Sequence, residues 1–486
     1  MNNVATNSPA VSAIKAEVAE LFPSLVETLK DLVAIPSVSA AAFDQTHVET
    51  SATVVADLFR GIGFKDVQIL RAPKPAKPHD AEPTPVVAES QPEGETTPAN
   101  KQSQNLGAPA VVARRPAPKG APTVMLYAHH DVQPPGQGWD TEPFVATQKG
   151  DRLYGRGAGD DKAGITVHLG ALKALTALNA IPNIGITLFI EGEEEIGSPS
   201  FANFLTEYQD LLHADVIIVA DSGNWAVGTP ALTTSLRGLV DGVVEVQVLE
   251  HAVHSGMFGG PVLDANVILA RLISTLHDDN GDVAVSGLVE APAPSIDYDV
   301  ADLRKDSSLL PDMQLAGTGS ITSRLWTKPA IAVLGIDAVP VAEAANVIAP
   351  TTRAKISMRI PVGQSPDAAA QALGEHLVKN APFGAKVTWK LNEAGNPFQA
   401  PDDSPAMRAA RAAFSAAWDA EPVDMGMGGS IPFIAELKKV YPDAEILLTG
   451  VEDPDSRAHG ANESVHLGEL RKAIAAEAIL LTSLHP

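Results

Sequence analysis

The stretch TVMLYAHHDVQPPG, residues 123–136, is a short apolar run that ends abruptly in two imidazoles and a carboxylate. The pattern recurs along the chain: GITLFIE (185–191) runs into GEEE, DVIIVA (215–220) into Asp221, and EILLTG (445–450) into VEDPDSRAH. Between them lie long helical patterns such as AGITVHLGALKALTALNA, residues 163–180. Short continuous apolar strands alternating with helices predict an α/β fold with a mostly parallel sheet covered by helices on both faces. Ligands of such sheets bind beyond the carboxyl ends of the strands. Every run quoted above ends there in His, Asp or Glu.

At 486 residues, 45 % of them hydrophobic, the chain is long enough for two compact domains. Lys and Arg number 35 against 59 Asp and Glu, a formal charge of -24, which repels phosphate backbones and anionic lipid surfaces, so neither nucleic acid nor membrane is an expected partner. With no cysteine, disulfides, thiolate metal sites and a cysteine nucleophile are excluded, and any metal must be held by His, Asp and Glu. The amino terminus shows neither a basic start nor an apolar core of a leader, and no stretch approaches a membrane span. A cytoplasmic protein is expected.

Residues 11–34 carry helical periodicity interrupted at Pro23, which predicts two helices with a break. Residues 72–106 are rich in proline and lack aromatics, which predicts a disordered surface insertion acting as a passive linker. GLVDGVVEVQVLE (238–250) alternates like a half-exposed strand, and DANVILARLISTLH, AKISMRIPV and SPDAAAQALGEHLVKN continue in strand and helix patterns. A small α+β domain over 236–395 is expected, inserted between the first part (1–235) and the second part (396–486) of the larger domain.

If the first strand continued to Asp131, His129 and Asp131 would share one face, with Asp131 orienting His129 and His130 forming a wall. A strand-end His near an Asp is also an ordinary polar terminus. LYGRGAGDDKAG (153–164) is a glycine-rich turn without the spacing of a phosphate loop; a helix cap explains one of Asp160 and Asp161 but not both. EGEEEIGS (191–198) closes a strand with clustered glutamates, whose repulsion needs cations or shared protons. Asp221 and His459, each unremarkable alone, complete with His129, Asp160 and a glutamate a set suited to zinc, manganese or cobalt.

The motifs HHDVQPP with GWDTEPF, LYGRGAGDDKAG, EGEEEIGS, HSGMFGG, GGSIPF and AHGANE occur in one order. In that order they resemble the di-zinc metallopeptidases that include carnosinases, cytosolic dipeptidases, aminoacylases and glutamate carboxypeptidases. The wording is nearest the dipeptidase and carnosinase branch. The resemblance implies two divalent cations, one held by His129, Asp160 and Asp221 and the other by Asp160, Glu195 and His459. It makes Glu194 the general base and Asp131 the residue holding His129. His254 would stabilise the oxyanion or bind substrate, Arg359 would clamp a terminal carboxylate, and Gly429 and Ser430 would close over the substrate. It further implies that the inserted domain is a lid that pairs with its copy in a homodimer. The expected reaction is hydrolysis of dipeptides with a free C-terminal carboxylate; hydrolysis of N-acyl or carbamoyl amino acids is the alternative using the same metals.

Overall fold

The structure is a computed structural model that describes residues 9–75, 105–429 and 432–484. Most of the proline-rich insertion, and Ser430, lie outside the described residues. The chain divides into two compact units, one made of Met1–Thr233, Ala400–Asp424 and Glu436–Pro486, the other of Thr234–Gln399 and Met425–Ala435.

The first unit is built on a mixed sheet. Strands β1 (Asp66–Leu70), β2 (Ala110–Arg115) and β3 (Thr123–His129) are joined by Gly185–Glu191, Val216–Val219 and Glu445–Leu448. The four central strands, in the order 185–191, β3, 216–219 and 445–448, run parallel. Antiparallel pairings flank them: β1 with β2, β2 with 185–191, and Leu448 with Thr233. Parallel strands covered on both faces must be apolar throughout, and Gly185–Glu191 and Val216–Val219 are buried at every position. The register sets His129 beside Glu191 and Tyr127 beside Val219, so the strands deliver their polar ends to one edge.

Helix α1 (Pro9–Val33) is continuous through Pro23, where the sequence pattern predicts a break. Proline removes the N–H that would meet the Ala19 carbonyl, but both residues are exposed, so water can satisfy that oxygen. The buried stripe Val11, Ile14, Val18, Leu25, Leu29 and Leu32 keeps helical spacing across the proline. It packs on α3 (Lys162–Ala177) and on the helix Leu467–Ser483, while α2 (Thr46–Gly61) packs on β1 and β2. Among the described residues no helix is long and apolar enough to cross a membrane.

The insertion joins the two strands of the β1–β2 hairpin. Its described ends are tied to each other: Lys74 N donates to Asn105 O at 2.7 Å and Gly107 N to Ala72 O at 2.8 Å.

The second unit is α+β. Its antiparallel sheet has the order Ala330–Asp337, Thr351–Ile360, Gly238–Gln247, Lys386–Gly395. Val240, Val244, Val246, Ile356 and Met358 from one face form a core with Leu269 and Leu272 of helix Ala265–Ile273 and Leu373 of helix Pro366–Lys379.

Candidate metal centre

The strand β3 ends at His129 itself, one step before the second imidazole. His129 is fully buried, and its Nδ1 lies 3.1 Å from the Asp131 carbonyl oxygen, with the Asp131 carboxylate further off at 3.5 Å. The backbone oxygen, more than the side chain, therefore sets the ring, and Nε2 is left to face Asp160 Oδ1 at 2.9 Å. His130 turns away: its Nε2 meets Pro109 O at 2.8 Å, and burial pushes its imidazole down to about 4, so it is neutral.

Asp160 and Asp161 have separate tasks. Asp161 caps α3, accepting the Gly164 N–H at 3.1 Å and the His129 N–H at 3.2 Å. Asp160 is left with its other oxygen, Oδ2, 3.0 Å from His459 Nε2. One carboxylate thus spans two imidazoles that arrive from opposite parts of the chain.

The glutamates of EGEEE are likewise sorted. Glu191 accepts the Tyr127 hydroxyl at 2.7 Å. Glu193 accepts Ser200 N at 2.6 Å and Ala108 N at 2.9 Å, and so belongs to the loop framework. Glu195 lies 3.2 Å from His459 Nε2 and is gripped by Gln133, whose backbone N–H and side-chain amide both donate to its carboxylate. Glu194 precedes it on a single 3₁₀ turn and makes no such framework contact through its side chain among the described residues. Asp221, just past its strand, brings Oδ1 to 4.0 Å from His129 Nε2.

These groups crowd negative charge into a buried place. Burial, then Asp160 and Glu195, push Asp221 up to about 7 against the opposing pull of His129. Burial is also the largest cause at Glu194, which rises to about 9 as Asp221, Glu191 and Asp131 outweigh His129. Asp161 and Glu452 are raised well above the carboxylate range, first by burial and then by neighbouring carboxylates. Asp160 goes the other way: burial opposes its charge, but the His129 and His459 hydrogen bonds hold it well below its usual range. Hydrogen bonds to Asp160 and Glu195 push His459 up to about 11. Glu452 Oε1 is buried with no hydrogen-bond partner among the described residues. Such a cluster calls for protons or cations to relieve it.

The donor atoms fit cations. Ligand atoms of His129, Asp160 and Glu195 lie within 4.8 Å of one another, as do those of His129, Asp161 and Asp221. Imidazole nitrogens with carboxylate oxygens, and no thiolate, suit first-row divalent ions.

The other sequence-derived candidates stand in the second unit. His254 is exposed and caps the short helix Ser255–Phe258, accepting Gly256 N at 3.0 Å. Arg359 lies on Thr351–Ile360, half-buried, with burial lowering its guanidinium from its ordinary value. Gly429 has open space where a Cβ would stand. Sequence reading missed Gln133, Arg156 and Glu463, which hold the ligand loops through side chains; only their places inside the quoted motifs hinted at them.

Residues 125–483 match the peptidase family M20/M25/M40. The chain is 37 % identical over 368 residues to the cysteinylglycine-S-conjugate dipeptidase of Corynebacterium striatum, covering 74 % of this chain and 81 % of that protein. To the Cys-Gly metallodipeptidase DUG1 of Candida albicans it is 28 % identical over 475 residues, 92 % of this chain and 91 % of that one. The crystal structure of human carnosine dipeptidase 1 shares the fold, with a TM-score of 0.76 at 23 % identity over 98 % of this chain and 99 % of the other. The family match takes in the parallel strands and His129, Asp160, Glu195, Asp221 and His459 alike, and the chain belongs to the peptidase family M20/M25/M40, a metallopeptidase hydrolase.

Proposed function

We propose that this protein is a dinuclear metallo-dipeptidase that hydrolyses dipeptides carrying a free C-terminal carboxylate. The observation that carries the reading is Asp160, whose two oxygens lie 2.9 and 3.0 Å from two different imidazoles. His129, Asp160 and Asp221 would hold one cation and Asp160, Glu195 and His459 the other, leaving open positions as catalytic sites need. Zinc suits this donor set, and manganese or cobalt could replace it. When bound, the pair supplies polarisation of the peptide carbonyl and lowers the pKa of a water molecule. Burial pushes Glu194 up to about 9, and with the cations in place their charge would favour its carboxylate form. Glu194 then takes a proton from the attacking water on its carboxylate and returns it to the leaving amine nitrogen. The Asp131 carboxylate keeps Glu194 in place by accepting the Glu194 backbone N–H.

His254, Arg359, Gly429 and Ser430 are assigned to the substrate on the resemblance of their motifs. Arg359 offers the planar fork that suits a terminal carboxylate, and His254 a donor for the developing oxyanion. The same resemblance supports a homodimer formed through the inserted unit, and the composition supports a cytoplasmic location. The names of the relatives favour cysteinylglycine and its S-conjugates as first substrates to try.

The test is to strip the protein of metal, reload it with zinc or manganese, and assay cysteinylglycine conjugates beside N-acetyl amino acids, with Glu194→Ala treated alike. Regained dipeptide turnover in the wild type, and a metal-loaded but inactive variant, supports the reading. Cleavage of N-acyl amino acids without any dipeptide turnover replaces it with an amidohydrolase.

A further inference from the structure

We propose that Arg156 and Glu463 are a positioning pair that sets one of the two metal sites, that of Asp160, Glu195 and His459, while leaving the ligands His129 and Asp221 untouched. The inference rests on the two-metal reading above.

The pair is sealed from water, with side chains 1 % and 0 % exposed, and Arg156 Nη1 donates to Glu463 Oε2 at 2.6 Å. Each partner then reaches outward. Glu463 Oε1 accepts Gly159 N at 3.0 Å and Asp160 N at 3.2 Å, and Oε2 accepts Gly157 N at 3.1 Å, which fixes the loop bearing Asp160. Arg156 Nη2 donates to His459 O at 3.1 Å, Gly460 O at 3.2 Å and Pro134 O at 3.3 Å. Pro134 follows Gln133, the residue gripping Glu195. One buried ion pair therefore touches, or stands one residue from, the support of all three ligands of that site.

Stability alone does not account for this arrangement. Desolvating two charges roughly cancels their attraction, so an apolar pair of similar shape would serve the core as well. Among the described residues Arg156 Nε is also buried without a partner, an added cost. What the pair supplies is position. His459 sits at φ +61, a left-handed conformation unfavourable for a non-glycine residue, and the guanidinium holds its carbonyl there. The Arg156 guanidinium also lies over the Trp139 ring, 5.4 Å from its centroid and within cation–π range. A lysine could reach one of these carbonyls but could not replace the fork.

The experiment is a cobalt titration of the metal-free protein followed by absorbance, with Arg156→Lys and Glu463→Gln. The glutamine can still accept the Gly159 and Asp160 N–H groups through its amide oxygen, but turns its NH₂ toward the guanidinium. The wild type is expected to bind two cobalt ions. In both variants the metal-free melting temperature falls, because one buried charge loses its partner, and the binding step of the Asp160, Glu195 and His459 site weakens by about 10–100-fold, the range for supports of metal ligands, with a smaller loss in the other step, which shares Asp160. Equal weakening of both steps would mean a general structural role and overturn the assignment, as would two unaltered steps. A wild type that takes up no cobalt would instead defeat the two-metal reading, and the assignment with it.

Discussion

The Asp131 carboxylate accepts the backbone N–H of Glu194 at 3.2 Å through one oxygen and that of Glu195 at 3.1 Å through the other. A residue two places after the metal-site histidine thus holds the turn that presents the base and a ligand together. Its own backbone oxygen orients His129. Asp131→Ala removes both acceptors while leaving that carbonyl, so kcat for dipeptide hydrolysis should fall by about 10–100-fold with a smaller change in KM. Steady-state kinetics of the metal-loaded variant check this; unchanged kcat would show that the turn holds itself.

Neighbouring glutamates in EGEEE should separate cleanly by phenotype. Glu194→Gln keeps the shape but cannot take a proton, and kcat should drop by about 10²–10⁴-fold with normal metal content. Glu193→Gln retains one acceptor for the Ser200 or Ala108 N–H and puts a donor against the other. It should lower the melting temperature and leave kcat close to wild type. The reverse pattern would assign the base to Glu193.

How much of this was legible in the sequence depends on how locally each feature is encoded. The central strands were legible because a parallel strand covered on both faces has to be a continuous apolar run, as Gly185–Glu191 is. Their polar ends were legible for the same reason: His129 and Asp221 stand where apolar character stops. The antiparallel edge was not, because β1 is half-exposed and the insertion separates it from its partner. Pro23 misled because its cost depends on where the freed carbonyl points, which spacing does not record. The hardest features were long-range polar contacts. Arg156 and Glu463 are 307 positions apart, and an ion pair leaves no periodic trace.

His168, buried in α3, places Nδ1 2.9 Å from Glu477 Oε2 and Nε2 3.0 Å from Tyr127 O. Burial opposes its charge, but Glu477 outweighs burial and raises its pKa above the ordinary value of about 6.5. A raised folded-state pKa stabilises the protein fully below the unfolded value, and the benefit is lost as pH rises through the folded one. The stability advantage of the wild type over Glu477→Gln should therefore be largest near pH 6 and shrink toward alkaline pH. Urea unfolding of both proteins across that range reads it; an advantage that grows with pH would contradict the assignment.

Gly450 follows the strand Glu445–Leu448 and passes close to the loop that carries Asp221. A Cβ at this position would stand 1.6 Å from the Ser222 carbonyl oxygen. That contact is with backbone, which cannot swing aside, and Gly223 and Glu452 pair across the same place. Gly450→Ala should cost about 3 kcal/mol and displace Asp221, lowering metal affinity as well as melting temperature. A variant with wild-type stability and full cobalt uptake would show that the loop has room to move.

Residues 76–104 connect two strands that are already neighbours. Ala72 with Gly107, and Lys74 with Asn105, close the hairpin below them, and Asn105 Nδ2 donates to Lys74 O at 3.0 Å. The sheet register from Asp66↔Arg114 to Leu70↔Ala110 is continuous among the described residues. Replacing residues 76–104 with a short Gly–Ser turn should therefore preserve folding, metal content and dipeptide turnover. Closing a shorter loop loses less chain entropy, about 0.6 kcal/mol for each halving of length, so the melting temperature should stay level or rise slightly. Loss of turnover with intact metal content would assign the segment a part in catalysis; a change in oligomeric state alone would make it an assembly arm and end the reading of it as a passive linker.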